Sequence, residues 1–144
     1  MNEKEQREKV VEVARSWLRT PYHHMGRIKG VGVDCAMLPA EVYREAGCVP
    51  HIEQEFYPMD WHLHQSAERY LNKVLEYATE TTDPKPGDFV IYQVGRTFAH
   101  GAIIVDWPLV IESRHPKGVQ LCDMNVDQQF ADRKHKFFTL WGAK

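Results

Sequence analysis

The 144-residue chain is poor in cysteine, poor in net charge, and has no long apolar run. Its three cysteines, Cys35, Cys48 and Cys122, are odd in number, widely spaced and free of any C-x-x-C pair. That excludes a disulfide framework and a paired-cysteine zinc site, and it fits a reducing compartment. No apolar stretch approaches the roughly 20 residues of a membrane span, so no membrane insertion is expected. The first nine residues, Met1 to Lys9, are too charged for a signal peptide, so a cytoplasmic location on synthesis is expected. Eighteen basic residues face twenty acidic ones, a formal net charge of -2. No global field therefore draws nucleic acid, and no nucleic-acid partner is expected. P-loop, G-x-G-x-x-G and zinc signatures are absent, and no cofactor is called for.

With 43% apolar and 26% charged residues the composition is that of an ordinary globular protein, and the length allows one domain with a real core. A single domain over residues 1–144 is expected. Val10, Val13, Ala14, Trp17 and Leu18 recur at helical spacing and predict an amphipathic helix over about residues 3–19. Pro21, Gly26, Gly30 and Gly32 punctuate a loop over 21–33. A second helix is predicted from Asp34 to about Ala46, with Gly47 as its C′ residue. Pro39 inside it predicts a kink or an irregular first turn. Ala67, Tyr70, Leu71, Val74, Leu75 and Ala78 predict a third helix. Beyond the turn-rich Asp83–Asp88, β-type runs are read at Phe89–Gln93, Gly101–Val105, Leu109–Ser113, Val119–Cys122 and Phe137–Trp141. Helices first and strands later predict an α+β fold: N-terminal helices packed on a C-terminal antiparallel sheet of five or so strands.

The chemistry concentrates at Gly32-Val33-Asp34-Cys35. Asp34 is a good N-cap type, which places Cys35 in the first turn of a helix. There the helix dipole favours a thiolate, and a lowered thiol pKa is expected. The backbone N–H groups could also hold an oxyanion. A cysteine nucleophile needs a base, and the base needs an orienting group. His100, opening the strand Gly101–Val105, is the candidate base. Its orienter depends on hairpin register. A three-residue turn, Asp106-Trp107-Pro108, sets Ala102 opposite Glu112 and puts Glu112 on the face of His100. A two-residue turn shifts the register by one and sets His115 opposite His100 instead. Glu112 is preferred, because it would both fix the imidazole tautomer and stabilise its protonated form. His62 and His64 could share one side of an extended segment, but no third ligand accompanies them and no metal site is expected.

Four motifs in order, Thr20-Pro21-Tyr22, Gly32-Val33-Asp34-Cys35, Pro86-Gly87-Asp88-Phe89-Val90 and His100-Gly101-Ala102-Ile103-Ile104, resemble those of the NlpC/P60 cell-wall cysteine peptidases. The resemblance implies a papain-like fold, with Cys35 as nucleophile and His100 as base. The family's third polar residue follows that histidine by about twelve positions, which lands on Glu112, where the family more often has histidine. The resemblance also implies Tyr22, Asp34 and Ala36 at the substrate site. The implied substrate is a peptidoglycan stem peptide, cut at a γ-D-glutamyl bond to a diamino acid. The family commonly reads Asp-Cys-Ser-Gly; Ala36-Met37 depart from this, so substrate preference does not carry over. The segment from Tyr57 to Tyr70, with Trp61-His62-Leu63-His64 inside it, resembles the phage-tail and prophage branch. That branch implies phage tail proteins as partners and a place in the virion tail. A second reading is therefore a tail-assembly or tail-tip component with an unused thiol site. A third keeps the thiol chemistry and changes the substrate to another amide or thioester.

Overall fold

Val10, Val13, Ala14 and Trp17 turn one face of helix α1 (Glu3–Ser16) inward, and none is more than 4% exposed. Burying each such side chain contributes about 1.5–3 kcal/mol relative to exposure. The computed structural model describes residues 1–51, 72–94 and 97–142. Asn2 caps α1 by accepting the N–H of Glu5 at 2.8 Å. The helix ends before residue 19, because Arg19 and Thr20 leave it to bond the backbone of Val119 at 3.0 and 2.8 Å.

A short hairpin follows, β1 (Arg27–Ile28) against β2 (Gly32–Val33). Gly32 is required there, since a Cβ would collide with the Cβ of His23. Helix α2 runs Met37–Glu45 and is lined inward by Met37, Leu38, Val42 and Tyr43. Its C-terminus is a Schellman motif: Cys48 N–H bonds Tyr43 O, Gly47 N–H bonds Arg44 O, and Gly47 has φ +82°. Pro39 stands third in α2. It has no N–H to offer the carbonyl of Cys35, so regular helix begins at Met37 rather than at Asp34. Of the predicted third helix, residues 72–75 are helical and Val74 is buried. Its first half lies outside the described residues, as does the Trp61-His62-Leu63-His64 segment.

Among the described residues six strands form the main sheet, in line with the five or so expected, antiparallel throughout in the order β3-β8-β4-β5-β6-β7. They are β3 (Thr79–Thr81), β4 (Phe89–Val94), β5 (Thr97–Asp106), β6 (Leu109–Arg114), β7 (Gly118–Asp123) and β8 (His135–Thr139). The unforeseen β3 is three polar residues long and pairs only with β8, so neither length nor alternation marks it. The architecture is thus α+β, helices first. One sheet face, with Phe89, Ile91, Ile103, Val105, Ile111 and Val119, packs on the helices. The other, with Val90, Tyr92, Ala102, Ile104 and Val110, forms a smaller core closed by Met124 and Phe130 of the β7–β8 connection.

Pro86-Gly87-Asp88 locks the layers together. Tyr43 donates its hydroxyl hydrogen to Gly87 O at 2.7 Å, and Gly87 N–H bonds Ile104 O at 2.8 Å. The buried Asp88 accepts from Arg7 of α1 at 2.8 Å and from the backbone of Lys85. The motif before β4 is thus a three-way joint between both helices and the sheet.

Candidate active site

Asp34 keeps its capping role although α2 starts later. Its Oδ1 accepts the N–H of Ala36 at 3.1 Å and of Met37 at 2.9 Å, and its carbonyl accepts Leu38 N–H. Its Oδ2 accepts Met25 N–H at 2.9 Å and draws in the loop that carries Tyr22. The residue is 1% exposed and Ala36 is 0% exposed. The Asp34 carboxylate is bonded by backbone donors and the Ala36 methyl group is buried, so both shape the loop around Cys35 from within.

Cys35 is half-buried, between the cap and the first turn of α2. Desolvation pushes its thiol pKa up, and the charge of Asp34 adds to this. Its own backbone N–H and a hydrogen bond with the Tyr22 hydroxyl pull the other way without prevailing. The expected lowering by the helix N-terminus is therefore corrected. The first-turn donors that would favour a thiolate are taken by Asp34, which brings a negative charge instead. Tyr22 is held by a β-bridge to Val33 and packs its ring edge-on against His115, centroids 5.4 Å apart. Burial, then the charges of Cys35 and Asp34, push the Tyr22 phenol well up, so it stays a hydrogen-bond donor.

His100 and Glu112 lie on the sheet face of the smaller core, 5% and 0% exposed. His100 Nε2 is 2.9 Å from Glu112 Oε1. The register behind this contact arises by a route that neither turn length alone provides. Asp106 pairs with Leu109 across a two-residue turn, and a bulge at Val105 then restores Ile104 opposite Val110 and Ile103 opposite Ile111. Glu112 is thereby carried to the face of His100. His115, which the two-residue register would have placed opposite His100, lies exposed beyond β6 against Tyr22.

Around Glu112 the structure gathers residues not singled out from sequence. Arg114 reaches Glu112 Oε2 at 2.7 Å with one terminal nitrogen and Asp127 Oδ1 at 2.7 Å with the other. Gln120 donates to Glu112 Oε2 at 2.9 Å. Burial alone would raise the Glu112 pKa, but hydrogen bonds from His100, Gln120 and Arg114 and the His100 charge hold it below the usual carboxylate value. The His100 ring stacks on Phe130, centroids 4.4 Å apart and 13° from parallel. Arg114 was legible in one respect: two positions after Glu112, it shares that strand face. Asp127 and Phe130, in an irregular connection, carried no such periodicity.

Two contacts and one electrostatic coupling tie the Cys35 loop to the end of β6 that carries Glu112. Ser113, next to Glu112, donates to the carbonyl of Val33, two residues before Cys35, at 2.8 Å. The charge of Glu112 contributes to the raised thiol pKa. Tyr22 touches both Cys35 and His115, at the end of β6. A Cβ on Gly118 would meet Thr20 O at 2.5 Å, so only glycine lets the loop before Tyr22 pair this closely with β7. Cys48 lies apart; the Cys122 thiol donates to Asp127 Oδ1 at 3.6 Å, and burial pushes its pKa up to about 11. Among the described residues no three His, Cys, Asp or Glu side chains gather as metal ligands, and no helix is long and apolar enough to cross a membrane.

The model of the NlpC/P60 family matches residues 19–137. The NlpC/p60 domain of the peptidoglycan hydrolase SagA is similar in structure, with a TM-score of 0.61 and 18% identity over 90% of this chain and 96% of that one. RipD from Mycobacterium tuberculosis, described as a non-catalytic NlpC/p60 domain protein adapted to peptidoglycan binding, gives a TM-score of 0.62 and 16% identity over 93% of this chain and 96% of that one. A lipoprotein-like family member from Staphylococcus aureus gives 0.64 and 17% over 94% of this chain but 42% of its own. At these identities the likeness is one of fold. Comparison with curated proteins yields no match.

Proposed function

The chain belongs to the NlpC/P60 family, and on that premise we propose that it is a cysteine peptidase of cell-wall peptides. The observation that carries the proposal is the buried His100–Glu112 pair at 2.9 Å, on the sheet end that Ser113 ties to the Cys35 loop. Glu112 engages Nε2 of His100, and in the proposed mechanism Nδ1 is the nitrogen that exchanges a proton with the thiol. In the proposed reaction the Cys35 proton passes to His100 and sulfur attacks the peptide carbonyl carbon. The C–N bond then breaks as His100 returns the proton to the leaving amine. Water, deprotonated by His100, finally hydrolyses the thioester and frees the acid. Because the thiol is held up by burial and by Asp34, proton transfer to His100 belongs to the attack itself rather than to a standing thiolate.

The bond we infer is that between γ-D-glutamyl and a diamino acid in a peptidoglycan stem peptide, by resemblance to the family. Association with phage tail proteins rests on the resemblance of the Tyr57–Tyr70 segment. A second reading, binding of cell-wall peptide without turnover, is favoured by the likeness to RipD, described as a non-catalytic NlpC/p60 domain protein adapted to peptidoglycan binding. Incubation with muropeptides followed by mass spectrometry separates the two. Turnover by the native chain and its abolition in Cys35→Ser are expected. Saturable muropeptide binding with no cleavage product would establish the second reading, and full activity of Cys35→Ser would end the thiol mechanism.

A further inference from the structure

Glu112 is wholly buried, yet it must stay a carboxylate whether or not His100 carries a proton. If His100 were its only cationic partner, the buried carboxylate would hold an imidazolium more tightly and make its proton harder to return. The groups facing Glu112 come from every neighbouring element: His100 from β5, Gln120 and Cys122 from β7, Tyr92 from β4, Asp127 from the β7–β8 connection, and Cys35 from before α2. Arg133 approaches Phe130 but donates to the backbone of Gln129 and Gln93. Arg114 alone among them brings Glu112 a cation that does not titrate. Its fork spans the two carboxylates at 2.7 Å each, and its guanidinium carbon lies 4.7 Å from the centre of the Phe130 ring on which His100 stacks.

We propose that Arg114, braced by Asp127, is a positioning residue that offsets the charge of Glu112 through the catalytic cycle and so leaves His100 free to gain and lose its proton. Glu112, Arg114 and Asp127 together carry one net negative charge, which one imidazolium neutralises. Without Arg114 the remaining two carboxylates draw the proton onto His100 more strongly. Asp127 holds the guanidinium from the other side, and its Oδ2 also caps Gln129 and Phe130. One aspartate thus places both the cation and the ring against which the imidazole rests. The proposal rests on the peptidase reading, but its first test does not need turnover.

The test is an NMR pH titration of the His100 Cε1–H signal, assigned by its loss in His100→Gln. In Arg114→Gln the His100 midpoint is expected to rise by roughly one pH unit. In Arg114→Gln/Asp127→Asn, which restores the net charge, it returns towards the native value. A folded Arg114→Gln variant with an unchanged His100 midpoint overturns the proposal. Should Arg114→Gln not fold, Arg114→Lys decides through kinetics. Its single ammonium cannot span both carboxylates, so kcat falls about tenfold or more with KM held; a native kcat overturns the proposal. Absence of muropeptide turnover by the native chain, with the His100 shift present, would count against the peptidase reading alone.

Discussion

The thiol side and the imidazole side of the site treat charge in opposite ways. Around Cys35 burial pushes the thiol pKa up, and the charge of Asp34 adds to this. Around His100 a wholly buried glutamate is kept ionised by a guanidinium, an amide and the imidazole itself. The first side resists becoming negative; the second already holds a buried negative charge. The contrast favours proton transfer from thiol to imidazole at the moment of attack, when the negative charge passes to substrate. It also shows that a helix N-terminus does not by itself activate a cysteine. The donors must be free, and here Asp34 has taken those of Ala36 and Met37.

Three changes break or sharpen this contrast, the largest first. Glu112→Ala removes the centre of the imidazole side and leaves Arg114 buried with only Asp127. A loss of about 3–5 kcal/mol is expected, because a buried pair is broken on one side. Urea unfolding measures it, and a loss under 1 kcal/mol would show that the cluster contributes little to the fold. Acidification acts on the same side more gently. Glu112 and Asp127 both ionise more readily when folded than the free side chains do. The unfolded chain therefore takes up more protons as pH falls. Their contribution is whole above the ordinary carboxylate range of about 4, and is lost as pH drops through the lower folded values. Thermal midpoints followed through that range should fall, and fall less in Glu112→Gln. Parallel curves for the two proteins would refute the assignment.

The smallest change addresses the thiol side. Asp34→Asn keeps the cap on Ala36 and Met37 but turns a second donor toward Met25 N–H, at about 1–3 kcal/mol. With the charge gone, the pH midpoint of Cys35 alkylation by iodoacetamide, followed by peptide mapping, is expected to move down. A midpoint that stays put or rises would show that desolvation alone holds the proton on sulfur.

The order of the elements and the residue types of the site were legible in the sequence. Helical spacing exposed the inward face of α1, Gly47 marked the end of α2, and alternation located β4 to β7. These signals are local, since each depends on residues within one or two turns or one strand. The pairing of His100 with Glu112 was half legible, because parity limited the partner to two candidates. The bulge at Val105 selected between them, and a bulge leaves no fixed mark in a single strand's composition. The short strand β3 was not legible, because its pairing with β8 is non-local and its three residues are polar.

By itself, then, the sequence determined an α+β chain with a capped helix beginning near Cys35 and a histidine on a strand, which the structure places fourth in β5 rather than at its opening. Only the tertiary structure decided the charges those groups live among. Whether Asp34 activates or restrains the thiol depends on which backbone donors its oxygens meet. Whether Glu112 is ionised depends on Arg114 and on Asp127, fifteen residues away, converging on it in the fold. Burial and Coulomb interaction act through space at a few ångströms, and the chain's own order does not list those neighbours.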